Sequence, residues 1–91
     1  MSVYVDDLYP CVPSPRWRWN LACHLWADEI EELHTFAAEI GLKRSWFQHT
    51  PGKMPHYDLT ERLRDKAIKH GAVALGRRLA VEYWRLAGWV R

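Results

Sequence analysis

The chain opens on alternating positions. Ser2-Val3-Tyr4-Val5 carries β-forming residues at a period of two and predicts a first strand ending at Asp6-Asp7. Tyr9 to Arg16 holds three of the five prolines and reads as irregular, since proline has no N–H to give to a ladder. From about Asn20 to Trp26, Leu21, Cys23 and Leu25 alternate with Ala22, His24 and Trp26, which predicts a second strand. The period then changes. Ile30, Leu33, Phe36, Ala37 and Ile40 share one helical face, with Asp28 as N-cap, Glu31 completing a capping box and Gly41 as the left-handed stop. Leu42 to Gln48 reads as a third strand, with Lys43-Arg44 at its start, and Thr50 to Met54 as a loop. A second helix is expected from about Leu59 to His70, burying Leu59, Leu63, Ala67 and Ile68 and stopping at Gly71. Ala72 to Leu75 makes a short strand. Gly76 then leads into a last helix through Trp89, with Leu79, Tyr83, Leu86 and Val90 on one stripe that Ala80, Trp84 and Ala87 widen.

Strands and helices in that alternation predict an α/β fold: a small, mainly parallel sheet of about four strands with three helices. Ninety-one residues make one domain, 1–91, with no room for a second core. The stripe on the last helix, 76–91, is wider than one small sheet can cover, so that helix is the expected contact of a homo-oligomer.

Composition narrows the function classes. A net charge of +2 gives no broad nucleic-acid footprint. No run approaches the roughly 20 apolar residues of a membrane helix. The first residues carry acids where a signal peptide needs bases and an apolar core, so a cytoplasmic setting is expected. Cys11 and Cys23 are then expected as reduced thiols, and neither has a CxxC partner for zinc. Six tryptophans in so short a chain must fill the core or line a contact surface. Trp17-Arg18-Trp19 has the make-up of a stacking platform, or of a hydrophobic plug.

The most informative stretch is Pro55-His56-Tyr57-Asp58-Leu59-Thr60, placed where a loop meets the second helix. Asp58 with Glu61 fits a capping box, but capping does not account for His56. Asp6 and Asp7 end a strand, where two acids suit Mg²⁺ or Mn²⁺, or simply a solvated turn. His24 lies inside an apolar strand, as a hydrogen-bonded core residue or as a partner for His56. Two histidines beside a phosphate can act as general base and acid; with Asp6, Asp7 or Asp58 they can hold a transition metal. None of the spacings is a metal signature, so no metal ligand set is assigned. His34 reads as a helix-flank residue, and His49 and His70 as exposed. Arg44 is the cation suited to grip phosphate, with Tyr57, Trp46, Gln48, Asp6 and Asp7 completing the expected ligand contacts.

The segments Val3-Tyr4-Val5-Asp6-Asp7, His24-Leu25-Trp26-Ala27-Asp28, Glu32-Leu33-His34, Gly41 to Gln48, Pro55 to Thr60 and Gly71-Ala72-Val73 together form one pattern. It resembles a family of small phage and bacterial proteins known as domain of unknown function 4031, over roughly residues 2–75. The resemblance implies a short cytoplasmic protein, often of phage or prophage. It also marks Asp6, Asp7, His24, His34, Arg44, Gln48, His56, Tyr57 and Asp58 as the polar members of the pattern. The leading expectation is an oligomer that binds a phosphorylated, nucleotide-like small molecule, as an anti-defence protein sequestering a host immune signal. The runner-up is a phosphodiesterase or other hydrolase that cleaves such a ligand with His24, His56 and carboxylates. A protein–protein inhibitor using exposed tryptophans is the third class.

Overall fold

The computed structural model describes residues 2–89. Its elements are β1 (Val3–Val5), β2 (Tyr9–Pro10), β3 (Leu21–Ala27), α1 (Ile30–Glu39), a 3₁₀ turn (Arg44–Trp46), β4 (Tyr57–Leu59), α2 (Glu61–Lys69), β5 (Val73–Ala74) and α3 (Arg77–Leu86). The fold is α/β, as the pattern predicts, but the five-stranded sheet is mixed rather than mainly parallel. β3 pairs antiparallel with β1, β2 and β4, and the parallel pairing is that of β1 with β5. The difference arises between Leu42 and Gln48. These residues do not form a strand followed by a crossover; they turn through the short 3₁₀ segment, and only Gln48 makes a bridge, to His56. The chain therefore returns through Tyr57–Leu59 alongside β3 in the opposite sense.

β3 organises both layers because its residues alternate between two buried faces. Cys23, Leu25 and Ala27 join Val3, Val5, Tyr57 and Leu59 under α1 and α2, where Leu33, Phe36, Ala37, Ile40 and Ala67 close the main core. On the other face Trp26 packs with Tyr4, Met54 and Leu75 against Ala80, Tyr83 and Trp84 of α3. The apolar stripe of α3 is thus rotated from the expected one. Ala80, Tyr83 and Trp84 face the sheet, while Leu79 and Leu86 point outward at 61% and 80% exposure. Val90, expected on that stripe, lies outside the described residues. On α1, Ile30 is likewise exposed although it was expected on the buried face.

Both expected caps move. Thr60, not Asp58, is the N-cap of α2, its Oγ1 accepting from Leu63 N at 3.2 Å, because residues 57–59 are held as strand by β3. Asp28 does not cap α1. Its carboxylate instead accepts from Ser2 N at 2.9 Å, from the Tyr4 hydroxyl at 3.0 Å and from the Tyr83 hydroxyl. Gly41 and Gly71 do end α1 and α2 with positive φ, as expected of left-handed stops. Tyr9–Pro10, read as irregular, pairs briefly with Leu21–Ala22, and proline is tolerated there because Cys11 N takes up the next ladder bond to Asn20 O. Both cysteines are free. Among the described residues no helix is long and apolar enough to cross a membrane.

Candidate functional site

The site begins at a break in the ladder. β1 leaves β3 at the pair Val5↔Leu25, and β2 rejoins it at Tyr9↔Ala22. Asp6, Asp7 and Leu8 therefore stand where β3 offers only His24 and Cys23, and the surplus residue makes a bulge that re-aims side chains. The Asp6 side chain, 7% exposed, takes over the missing ladder contact. Its Oδ1 accepts from His24 N at 2.6 Å and its Oδ2 meets His24 Nδ1 at 2.7 Å. Arg64 of α2 donates from Nε to the Asp6 carbonyl at 2.9 Å, which fixes the bulge from the other side. A carboxylate only accepts, so the ring donates from Nδ1 to Asp6, and the neutral tautomer that fits this bond has its lone pair on Nε2.

β4 brings the second half of the site. In its register His24 is opposite Asp58, and His56, two residues before Asp58, shares its face. His56 is held through two backbone bonds to Gln48, each 2.9 Å. Its Nδ1 lies 2.8 Å from the Met54 carbonyl, an acceptor, so the neutral ring also presents Nε2. The two imidazoles meet edge to face with centroids 5.0 Å apart. His56 Nε2 is 3.4 Å from Asp58 Oδ1, and Gln48 Nε2 donates to Asp58 Oδ2 at 2.5 Å.

Charge follows this geometry. Burial works against a charged His56, but Asp58 and the Met54 carbonyl outweigh it and raise the imidazole above its ordinary value. Burial likewise raises Asp58, and His56 and Gln48 outweigh it, so its carboxyl lies below the ordinary range. Tyr9 stacks on the His24 ring, with centroids 5.3 Å apart. Burial, then the charges of Asp58 and Asp6, push its phenol up to about 12, so it stays a neutral donor.

A cavity of ≈ 370 Å³ adjoins the cluster, walled by Asp6, Asp7, Tyr9, His24, Arg77, Val81 and Trp84. Asp7 Oδ2 accepts from Arg77 N at 3.1 Å, which ties the cavity floor to the start of α3. Residues 3–87 match the sequence pattern of the family described as Protein of unknown function (DUF4031). The chain belongs to that family. No curated protein and no solved structure matches it. The DUF4031 match runs past residue 75, so α3 with its cavity residues is part of the family pattern and not an appendage.

Of the residues singled out from the sequence, Asp6, Asp7, His24, Gln48, His56 and Asp58 come together here. Arg44, Trp46 and Tyr57 do not. Tyr57 is 1% exposed in the main core, with its hydroxyl 2.8 Å from His34 Nδ1. That bond also corrects His34, which is buried and not a helix-flank residue. Arg44 and Trp46 are exposed on the 3₁₀ turn, and the charge of Arg44 acts on His34 and Tyr57. Trp17 and Trp19 pack edge to face with Arg18 over Trp19, away from the cavity wall. Tyr9, Arg77 and Trp84 were not foreseen as site residues. Only the over-wide stripe containing Trp84 carried any signal of them.

Proposed function

We propose that this DUF4031 chain is a small hydrolase acting on a phosphorylated, aromatic small molecule held in the cavity beside His24. One observation carries the reading. Two imidazoles and the Asp58 carboxylate bring donor atoms within 4.8 Å of one another, and each ring has its Nδ1 engaged by a fixed acceptor. Such anchoring orients nitrogen lone pairs toward a reacting water, whereas a site that only grips an anion has no need of it. The cluster orients and deprotonates the water; its oxygen attacks phosphorus, one P–O ester bond breaks, and the departing oxygen takes up a proton. Tyr9 and Trp84 offer aromatic faces to a base, and Arg77 offers the cavity a cation. At ≈ 370 Å³ the cavity lies near the lower end of the roughly 300–1,000 Å³ of small-molecule sites, which suits one nucleotide-sized group.

Of the contacts expected for sequestration, Asp6 and Asp7 line the cavity and Gln48 holds Asp58, whereas Arg44, Trp46 and Tyr57 lie outside its lining; the paired imidazoles are what favour turnover in this reading. In a phage setting the substrate of such a hydrolase is a host nucleotide signal, and its removal is an anti-defence activity. The test is incubation with cyclic nucleotides and ADP-ribose derivatives, followed by mass analysis of the products. Wild type yields hydrolysed product with a mass gain of one water, and His56→Ala and His24→Ala yield none while keeping the folded spectrum. Ligand recovered intact after heat release returns the reading to sequestration.

A further inference from the structure

The shape of the cluster points to what it holds. His24 and Asp58 are cross-strand neighbours and His56 shares their face, so three donors from paired backbone segments converge within 4.8 Å of one another. A tetrahedral ion bound at about 2.0–2.1 Å sets its ligands roughly 3.4 Å apart. His56 Nε2 and Asp58 Oδ1 already stand at 3.4 Å, which is long for a hydrogen bond and right for two ligands of one ion. Behind the three donors stands a set of partners of the kind that orients metal ligands. The Asp6 carboxylate meets Nδ1 of His24, the Met54 carbonyl meets Nδ1 of His56, and Gln48 holds the second oxygen of Asp58. Electrostatics agree. Asp6 and Asp58 bring two carboxylates to the cluster and Asp7 adds a third to the cavity wall, against Arg77 in that wall and Arg64 behind the Asp6 carbonyl. A bound cation offsets that excess and lets an anionic ligand approach.

We propose that His24 Nε2, His56 Nε2 and an Asp58 carboxylate oxygen bind one divalent first-row transition-metal ion, leaving a coordination position open beside the cavity. Two imidazole nitrogens and one carboxylate favour a borderline ion such as Zn²⁺ over Mg²⁺, which prefers oxygen alone. Asp6 and Asp7, the acids first suggested for Mg²⁺, are each engaged by protein donors, and Asp6 acts as a positioning residue for His24. The ion would supply the activated water of the proposed hydrolysis. To that extent the inference rests on the reading of this cluster as the reacting centre.

The experiment is calorimetric titration of the chelator-stripped chain with ZnCl₂, with elemental analysis after desalting. One ion per chain is expected, and an upward shift of the thermal midpoint with added Zn²⁺. His24→Gln and His56→Gln, checked for a native spectrum, should each weaken binding roughly a hundredfold or more, and Asp6→Asn by roughly 10–100-fold through its hold on His24. His70→Gln, which removes an exposed histidine, should change nothing. Absence of binding overturns the proposal, as does stoichiometric binding that survives both ligand substitutions, because the His56–Asp58 contact is then an ion pair alone. The two readings fail separately. Product formation that persists in excess chelator overturns the metal site and leaves the hydrolase, while a bound ion with no turnover of any nucleotide does the reverse.

Discussion

Asp58 and Thr60 divide tasks that the sequence pattern assigns to one residue. Thr60 closes the first turn of α2, and Thr60→Ala should lower stability by about 1 kcal/mol in urea unfolding. Asp58→Asn keeps the size of the side chain and touches no cap. It should lower the unfolding midpoint modestly, through the lost pairing with His56, and abolish turnover, and full turnover in this variant would restore Asp58 as a structural residue. His34 offers a second test. Burial first, then the charge of Arg44, hold its imidazole below the ordinary 6.5, with Glu31 pulling the other way and the Tyr57 hydroxyl against Nδ1. The unfolded chain takes up this proton as pH falls through about 6.5, while the folded chain resists it. Stability attached to His34 is therefore intact above 6.5 and is lost as pH falls toward and through the depressed folded value. His56, raised in the folded state, gains stability as pH falls, so the test is the comparison: between about pH 6.5 and pH 5 the native chain should lose more urea stability than His34→Gln. Equal drops in the two proteins would remove His34 as the cause.

α3 is held to the rest of the chain by packing, by the Asp7–Arg77 bond at its start and by a polar junction at Asp28. The Asp28 carboxylate receives the Tyr4 and Tyr83 hydroxyls and Ser2 N, so β1, the end of β3 and α3 meet at a single side chain. Asp28→Ala should cost about 1–2 kcal/mol, since these bonds reach a charged acceptor that is also exposed to water. Faster hydrogen exchange in residues 77–86 than in α1 would locate the loss, and uniform exchange across both helices would refute the junction. No local rule finds such a residue: Asp28 sits where an N-cap belongs, and its decisive partner lies 55 positions away. What was legible were elements with a period of their own. β1, β3, α1 and α2 fall close to their expected bounds because alternation and helical stripes encode which side is buried. The segment Leu42 to Gln48 misled because its residues have strand-like character but only Gln48 finds a partner to pair with.

At the scale of the molecule, the site is legible as chemistry and hidden as geometry. His24, His56, Asp58 and Asp6 are conspicuous in a short chain, but only the bulge opposite β3 and the register of β4 decide that they share a face. The outward side of α3 raises the remaining question of scale. Ala80, Tyr83 and Trp84 already cover the sheet, yet Leu79 and Leu86 stand seven residues apart on an outer flank of the helix at 61% and 80% exposure. Two turns of helix bring such positions into line, and we propose a second copy of the same helix as the surface that would cover them. Burying these side chains against a partner is worth about 1.5–3 kcal/mol each, counted twice in a symmetric pair. Light scattering at micromolar concentration should therefore return twice the 10.8 kDa chain mass. Leu79→Glu combined with Leu86→Glu should return a single chain with an unchanged far-ultraviolet spectrum, because neither side chain supports the core. A native chain that scatters as a monomer while fully folded would show that this stripe faces only water.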